Sequence, residues 1–252
     1  DLMNKYLAVL TYDGTDFKGS QKQTNSRTVQ GSFESALMSI HKEFVSTEFA
    51  SRTDSGVHAT NQVASFESSK ELSSDLWISS INHYMPKDAK ILKCIRVDKN
   101  LNVRRDALER EYVYKINFDR NISPIENRYY EHIDYHIKTE DLSKVYELFV
   151  GVHDFLSFAG RLAPSDISSK REIKHISHVK DEKSLEFSII GKSFLYQQVR
   201  RMIGSFLLFM KGKMTINQLS EMIDNPKKGA INFLPSSKGL YLSNIKYDGV
   251  KI

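Results

Sequence analysis

One cysteine, one tryptophan and five prolines are all that the 252 residues contain. No apolar run approaches the roughly 18 residues that a membrane-spanning helix requires, so no membrane partner is expected. A lone thiol, Cys94, cannot close an internal disulfide. The fold must therefore stand on its apolar core, and a reducing, cytoplasmic setting is the expectation. Without a second cysteine there is no Cys-x-x-Cys pair or Cys/His set to hold a structural zinc, so no metal is expected. No leader-like segment is visible, because the chain runs almost at once into the strand-like stretch KYLAVLTY. Low-complexity segments and short repeats are absent as well.

What the sequence does have is a modest surplus of positive charge: 36 Lys and Arg against 31 Asp and Glu, with a pI near 9.0. That admits an anionic partner without requiring one. Periodicity organises the rest. Alternation marks strands over 6–12, 44–50, 62–68 and 90–97 in the first half, and over 112–118, 173–179, 185–190 and 240–247 in the second. Helical spacing of Val29, Phe33, Ala36, Leu37 and Ile40 predicts a helix capped by Thr28. Further helices are predicted from Ser73 or Ser74 to about His83, over 141–150, over 195–210 and over 216–223. Helices fall between strand pairs, not between single strands, which predicts an α+β fold with a mostly antiparallel sheet and helices packed on it. The rhythm repeats after about residue 105, so the expected organisation is two α+β halves, 1–105 and 106–252.

The segment SRTDSGVHA, 51–59, stands out between two apolar strands. In extended backbone Arg52 and Asp54 project to the same side. Gly56 permits a sharp turn directly after them. Such a loop can present a carboxylate at the edge of a rigid sheet. The plain alternative is an Asp that caps a turn and a surface Arg. An aspartic protease loop also contains Asp-Ser-Gly, but that chemistry needs a second carboxylate loop sharing one proton. None is present in the sequence, and Arg52 would oppose the shared proton.

RTDSGVHA closely resembles the RTDAGVHA signature of TruA-like tRNA pseudouridine synthases. Six more strings follow that family's order: YDGTDFKGSQKQ, TVQGSFESAL, NVRRDALEREYVYKI, GVHDFLSF, SFLYQQVRRMIG and GLYL. Together they span essentially the whole chain. The sequence departs from the family pattern at Ser20, where Trp is usual, at Ser51 and Ser55 around the loop, and at Gln197 and Gln198. The resemblance implies the pseudouridine synthase fold, with two similar halves, a mostly antiparallel sheet and a central cleft. It also implies a cofactor-free isomerase acting on tRNA, in the bacterial type at the anticodon stem-loop around positions 38 to 40, and a homodimer. A non-catalytic RNA-binding protein is the alternative class.

On this resemblance Asp54 is the catalytic carboxylate, and Tyr112 and Arg200 match the family's tyrosine and arginine. Residue chemistry suits those roles. An ionised carboxylate can act as nucleophile or stabilise a positive sugar carbon, and a nearby cation keeps it ionised. Arg200 lies at the shoulder of the stripe Leu195, Val199, Met202, Ile203 and Phe206, so its stem can be buried and its fork directed inward. Arg201 falls opposite Val199 and Ile203 and is expected to meet solvent or phosphate. Tyr112 opens a strand, where it can stack on an everted base and serve proton transfer, while Tyr114 is assigned to the core. Candidate RNA contacts are Arg52, Lys18, Lys22, Arg27, Arg104, Arg105 and Arg110, with Arg52 the strongest because it borders the loop. His58 is assigned a structural hydrogen bond and no proton transfer.

Overall fold

The computed structural model describes residues 3–252 except residues 136 and 165. It resolves into two compact units, residues 1–110 with 241–252, and residues 111–240. The last strand, from Tyr241 on, belongs with the first unit.

In the first unit, strands β1 (Asn4–Tyr12), β3 (His58–Ser68), β4 (Ala89–Val97) and β10 (Leu240–Lys246) lie in the order β4-β1-β3-β10. The short β2 (Thr47–Phe49) also pairs with β3. All of these pairs are antiparallel except β3 with β10, which is parallel, with Tyr241 beside His58 and Leu242 beside Ala59. Helices α1 (Val29–His41) and α2 (Ser74–Tyr84) start where the sequence predicts. Thr28 and Ser73 each accept a first-turn N–H, from Gly31 and Leu76. The buried face of α1, with Val29, Phe33, Ala36 and Leu37, is the predicted stripe. Phe33, Phe66, Trp77 and Tyr6 meet in one aromatic cluster, with ring centroids 5.1–6.0 Å apart.

In the second unit, β5 (Glu109–Asn117, begun two residues before the boundary), β7 (Gly151–Asp154), β8 (Lys170–Lys180) and β9 (Ser184–Gly191) run in the order β5-β9-β8-β7. The two-residue β6 (Glu131–His132) lies parallel beside β5. Strands β6 and β7 are too short to show alternation, and both are additions to the predicted elements. Helices α3 (Leu142–Phe149), α4 (Gln198–Met210) and α5 (Ile216–Asp224) complete the unit. α5 opens with a full capping box of Thr215 and Gln218. α4 begins three residues later than its apolar pattern suggests, because Gln197 takes a left-handed conformation with φ 60° and breaks the helix there. None of the described helices is long and apolar enough to cross a membrane.

Phe206 on α4 is fully buried and packs on Phe149, Tyr146 and Phe187, with centroids 5.2–5.7 Å away. Phe206→Ala leaves a void among three rings and is expected to cost about 3–5 kcal/mol of stability, read by equilibrium urea unfolding. A loss below about 1 kcal/mol would show that the cluster closes over the gap.

Candidate active site

The Asp54 loop is held by backbone. Thr53 is buried, and three groups fix it. Its N–H donates to Ser20 Oγ at 2.8 Å, its C=O accepts from Ser20 N–H at 3.0 Å, and its hydroxyl meets the Tyr12 hydroxyl at 2.8 Å. Asp54 follows at once. Its carbonyl accepts from Val57 N–H at 3.1 Å, closing a four-residue turn in which Gly56 takes φ +80°. That conformation at the third turn position favours glycine. Ser55 Oγ and Gly56 N–H both donate to the Phe17 carbonyl, at 3.3 and 3.4 Å. Gln62, fully buried on β3, donates from Nε2 to the Ser51 carbonyl at 2.8 Å and to the Tyr12 hydroxyl at 3.3 Å.

The approach of segment 13–20 to this loop leaves no space for side chains. A Cβ on Gly14 would lie 1.9 Å from the Val57 carbonyl oxygen. His58 Nδ1 accepts from Gly14 N–H at 3.0 Å, and the ring packs on Tyr241 with centroids 4.8 Å apart. The lone pair is therefore at Nδ1 and the ring proton at Nε2. Asp13 Oδ1 sits 3.3 Å from the same Nδ1, but a nitrogen that is accepting cannot also donate, so this contact is not an ion pair. His58 is a strut, as its sequence context suggested.

The basic residues divide by what they touch. Arg52 and Arg104 are exposed and near one another. Partial burial, followed by the Arg104 charge, lowers the Arg52 pKa from its ordinary value. Lys18 is exposed as well. Arg105 pairs with its neighbour Asp106 at 3.1 Å. Three other candidates have partners within the protein. Arg27 makes a two-pronged bond to Asp88, at 2.6 and 2.8 Å, and lies 4.0 Å over the Phe17 ring. Lys22 pairs with Glu34 at 2.8 Å. Arg110 is buried, and its Nη2 donates to the Ala50 and Arg104 carbonyls at 2.8 and 2.7 Å. Its fork is turned to backbone oxygens.

Tyr112 and Arg200 belong to the second unit. Tyr112 is buried on β5 and meets Phe194 edge-on, 5.2 Å between centroids. Tyr114, on the same face, is buried and donates its hydroxyl to the Ser236 carbonyl at 2.8 Å. Burial and the nearby Glu131 charge push the Tyr114 hydroxyl far above its ordinary pKa. Arg200 donates from Nε and Nη2 to the Pro235 carbonyl, at 2.9 and 2.6 Å. Arg201, expected to face solvent, is buried instead. It donates to the Ile231 carbonyl and to Gln197 Oε1 at 3.3 Å. The reason is the segment 231–235, which runs along α4 so closely that a Cβ on Gly204 would lie 2.5 Å from the Phe233 carbonyl oxygen. Helical periodicity places Arg201 correctly around α4 but does not reveal an irregular segment covering that side.

The departures from the family pattern carry structural bonds: Ser20 on Thr53, Ser51 from Gln62, Ser55 on Phe17, Gln197 on Arg201, and Gln198, whose Oε1 accepts from Leu195 N–H at 2.8 Å. Sequence reasoning noted Ser20 only as a departure from the family pattern, and it did not single out Gln62. The only signal for Gln62 was a polar residue on a strand whose neighbours are apolar. Ser20→Ala leaves the Thr53 N–H buried without its acceptor. It is expected to cost about 1–3 kcal/mol and to speed hydrogen exchange at the Thr53 amide. Unchanged exchange there would show that the Ser20 hydroxyl does not hold the loop.

A sequence profile for tRNA pseudouridine synthases matches residues 8–104 and 145–248. A "tRNA pseudouridine synthase A" of Bacillus pumilus is 33% identical over 247 residues, covering 97% of this chain and 99% of its own. A protein of the same description from Limosilactobacillus reuteri is 32% identical over 252 residues, covering 97% of each chain. A third, from a Geobacillus species, is 33% identical over 241 residues, covering 95% of this chain and 96% of its own. The matched residues include the Asp54 loop, β10 and the whole of α4. The chain belongs to the tRNA pseudouridine synthase family, a family of isomerases.

Proposed function

We propose that this protein converts uridine to pseudouridine in the anticodon stem-loop of tRNA, around positions 38 to 40, with Asp54 as the catalytic carboxylate. The observation that carries the reading is the Asp54 loop, where the residue before the carboxylate is clamped through its N–H, its C=O and its hydroxyl. A group held this firmly can meet a reacting atom without first losing its own freedom.

The reaction breaks the N1–C1′ bond of uridine, turns the base and joins C5 to C1′. The proton leaving C5 balances the one taken up at N1, so no cofactor or group donor is consumed. In this reading Asp54 acts as the anion at the reacting nucleoside, and Arg200 is the cation that the family resemblance assigns to the same reaction. Tyr112 stacks on the everted base, and its hydroxyl serves the C5 proton. Arg52, Arg104 and Lys18 take the phosphates around the target, being exposed cations that no acidic side chain neutralises among the described residues. The working form is a cytoplasmic homodimer, as the family resemblance implies.

Unmodified tRNA labelled with tritium at uridine C5 should lose its label to water during turnover. Asp54→Asn is expected to abolish that release while the protein still binds tRNA. Normal release by the purified variant would remove Asp54 from the chemistry. Affinity for tRNA should fall steeply as salt rises. Arg104→Gln is expected to reduce the slope of log K against log salt by about 1. Arg27→Gln should leave the slope unchanged and lower the melting temperature, since Arg27 is bound to Asp88. The opposite pattern would reassign the two arginines.

A further inference from the structure

Glu131 occupies the two-residue strand β6, in a stretch between the two profile-matched segments and outside every string that carries the family resemblance. It is half-buried, and that burial raises its carboxyl above the ordinary range. Oε2 accepts from the Ser236 N–H at 3.1 Å and lies 3.5 Å from the Tyr114 hydroxyl. The charged and titratable groups around it are Tyr114 on β5, Arg200 on α4, Lys238 in the 237–239 turn and Tyr135.

The Ser236 N–H and the Pro235 C=O are two ends of one peptide group. Arg200 grips the carbonyl end with two N–H groups, and Glu131 holds the N–H end with its carboxylate. Cation, peptide dipole and anion thus stand in series, each polarising the next, which strengthens both hydrogen bonds. The Tyr114 hydroxyl fixes the following carbonyl, that of Ser236, at 2.8 Å. The chain then turns so tightly at Gly239 that a Cβ there would lie 2.8 Å from the Lys115 carbonyl oxygen and 3.1 Å from the Glu131 nitrogen. The Pro235–Ser236 peptide therefore has little freedom to tilt, and the Arg200 fork follows its carbonyl.

We propose that Glu131 is a positioning residue for Arg200: it fixes the Pro235–Ser236 peptide, and through that peptide's carbonyl it fixes the direction of the guanidinium. The inference rests on the reading above that Arg200 serves the reaction. A merely structural carboxylate would lower stability in every background alike. A positioning carboxylate must lose its effect once the Arg200 fork is gone, because its influence passes through that fork.

The test is a double-mutant cycle on the full chain, read by single-turnover tritium release from C5-labelled tRNA. Glu131→Ala is expected to slow the step roughly tenfold with the tRNA dissociation constant changed less than about twofold. Glu131→Gln, whose amide oxygen can still accept from Ser236, should recover most of the rate. In an Arg200→Lys background, Glu131→Ala should add less than about a twofold loss. A loss as large in that background as in the wild type overturns the proposal, as does a loss carried by tRNA affinity. Exchange of the Arg200 Nε–H with solvent, followed by nitrogen-15 NMR on the free protein, needs no activity. It should quicken in Glu131→Ala and stay slow in Glu131→Gln, and unchanged exchange in both overturns the proposal. Should Glu131→Ala fail to fold, Glu131→Asp carries the same comparisons, because it withdraws the carboxylate by one methylene. A wild-type protein that releases no tritium sinks the reading of function, and the exchange experiment still decides whether Glu131 holds Arg200.

Discussion

Thr53 has every polar group committed, and the placement of the carboxylate after it depends on that constraint. A loop between two strands is ordinarily free to drift. Here Ser20 and Tyr12 hold the preceding residue, the Phe17 carbonyl holds the two following ones, and Gln62 holds the carbonyl of Ser51. These partners come from β1, from the segment directly after it and from β3, so the loop inherits the rigidity of the sheet. The close fit of Gly14 against Val57 seals the arrangement from the other side.

Backbone capture recurs in the second unit with arginine as the clasp. Arg200 and Arg201 each take a carbonyl from the irregular segment 231–235, and in the first unit Arg110 takes the carbonyls of Ala50 and Arg104. A guanidinium suits this work because its several donors are fixed in one plane. Formal charge therefore does not say which guanidinium forks face outward. Arg27, Arg110 and Arg201 count toward the total of +5, yet their forks are engaged within the protein.

This explains what the sequence made legible and what it did not. Long elements with a clear period were readable: α1 and α2 begin at the capping residues that their sequences advertise, and β1, β4 and β9 fall where alternation puts them. Local chemistry governs such features, so local inspection suffices. The strands β6 and β7 have two and four residues, too few for a period to emerge. Arg110 and Arg201 are also held by the carbonyls of Ala50 and Ile231, 60 and 30 residues away in the chain, which no local window contains. The Asp54 loop was conspicuous for its motif, whereas the holding roles of Ser20 and Gln62 were not, because hydrogen bonds to backbone leave no sequence signature on their partners. Glu131 escaped notice for the same reason.

The parallel pairing of β10 with β3 bears on the order in which the molecule assembles. Residues 1–110 leave the ribosome long before β10, since the whole of the second unit is synthesised between them. Until then β3 lacks its neighbour at His58 and Ala59, the residues that immediately follow the Asp54 turn. Tyr241, which packs on the His58 ring, arrives with the same late strand. A nascent chain thus carries this turn for most of its synthesis with one flank unsupported, and contacts so distant in sequence are slow to form. The flank of the Asp54 turn is among the last parts of the protein to be covered, and a chain interrupted before residue 240 lacks that neighbour.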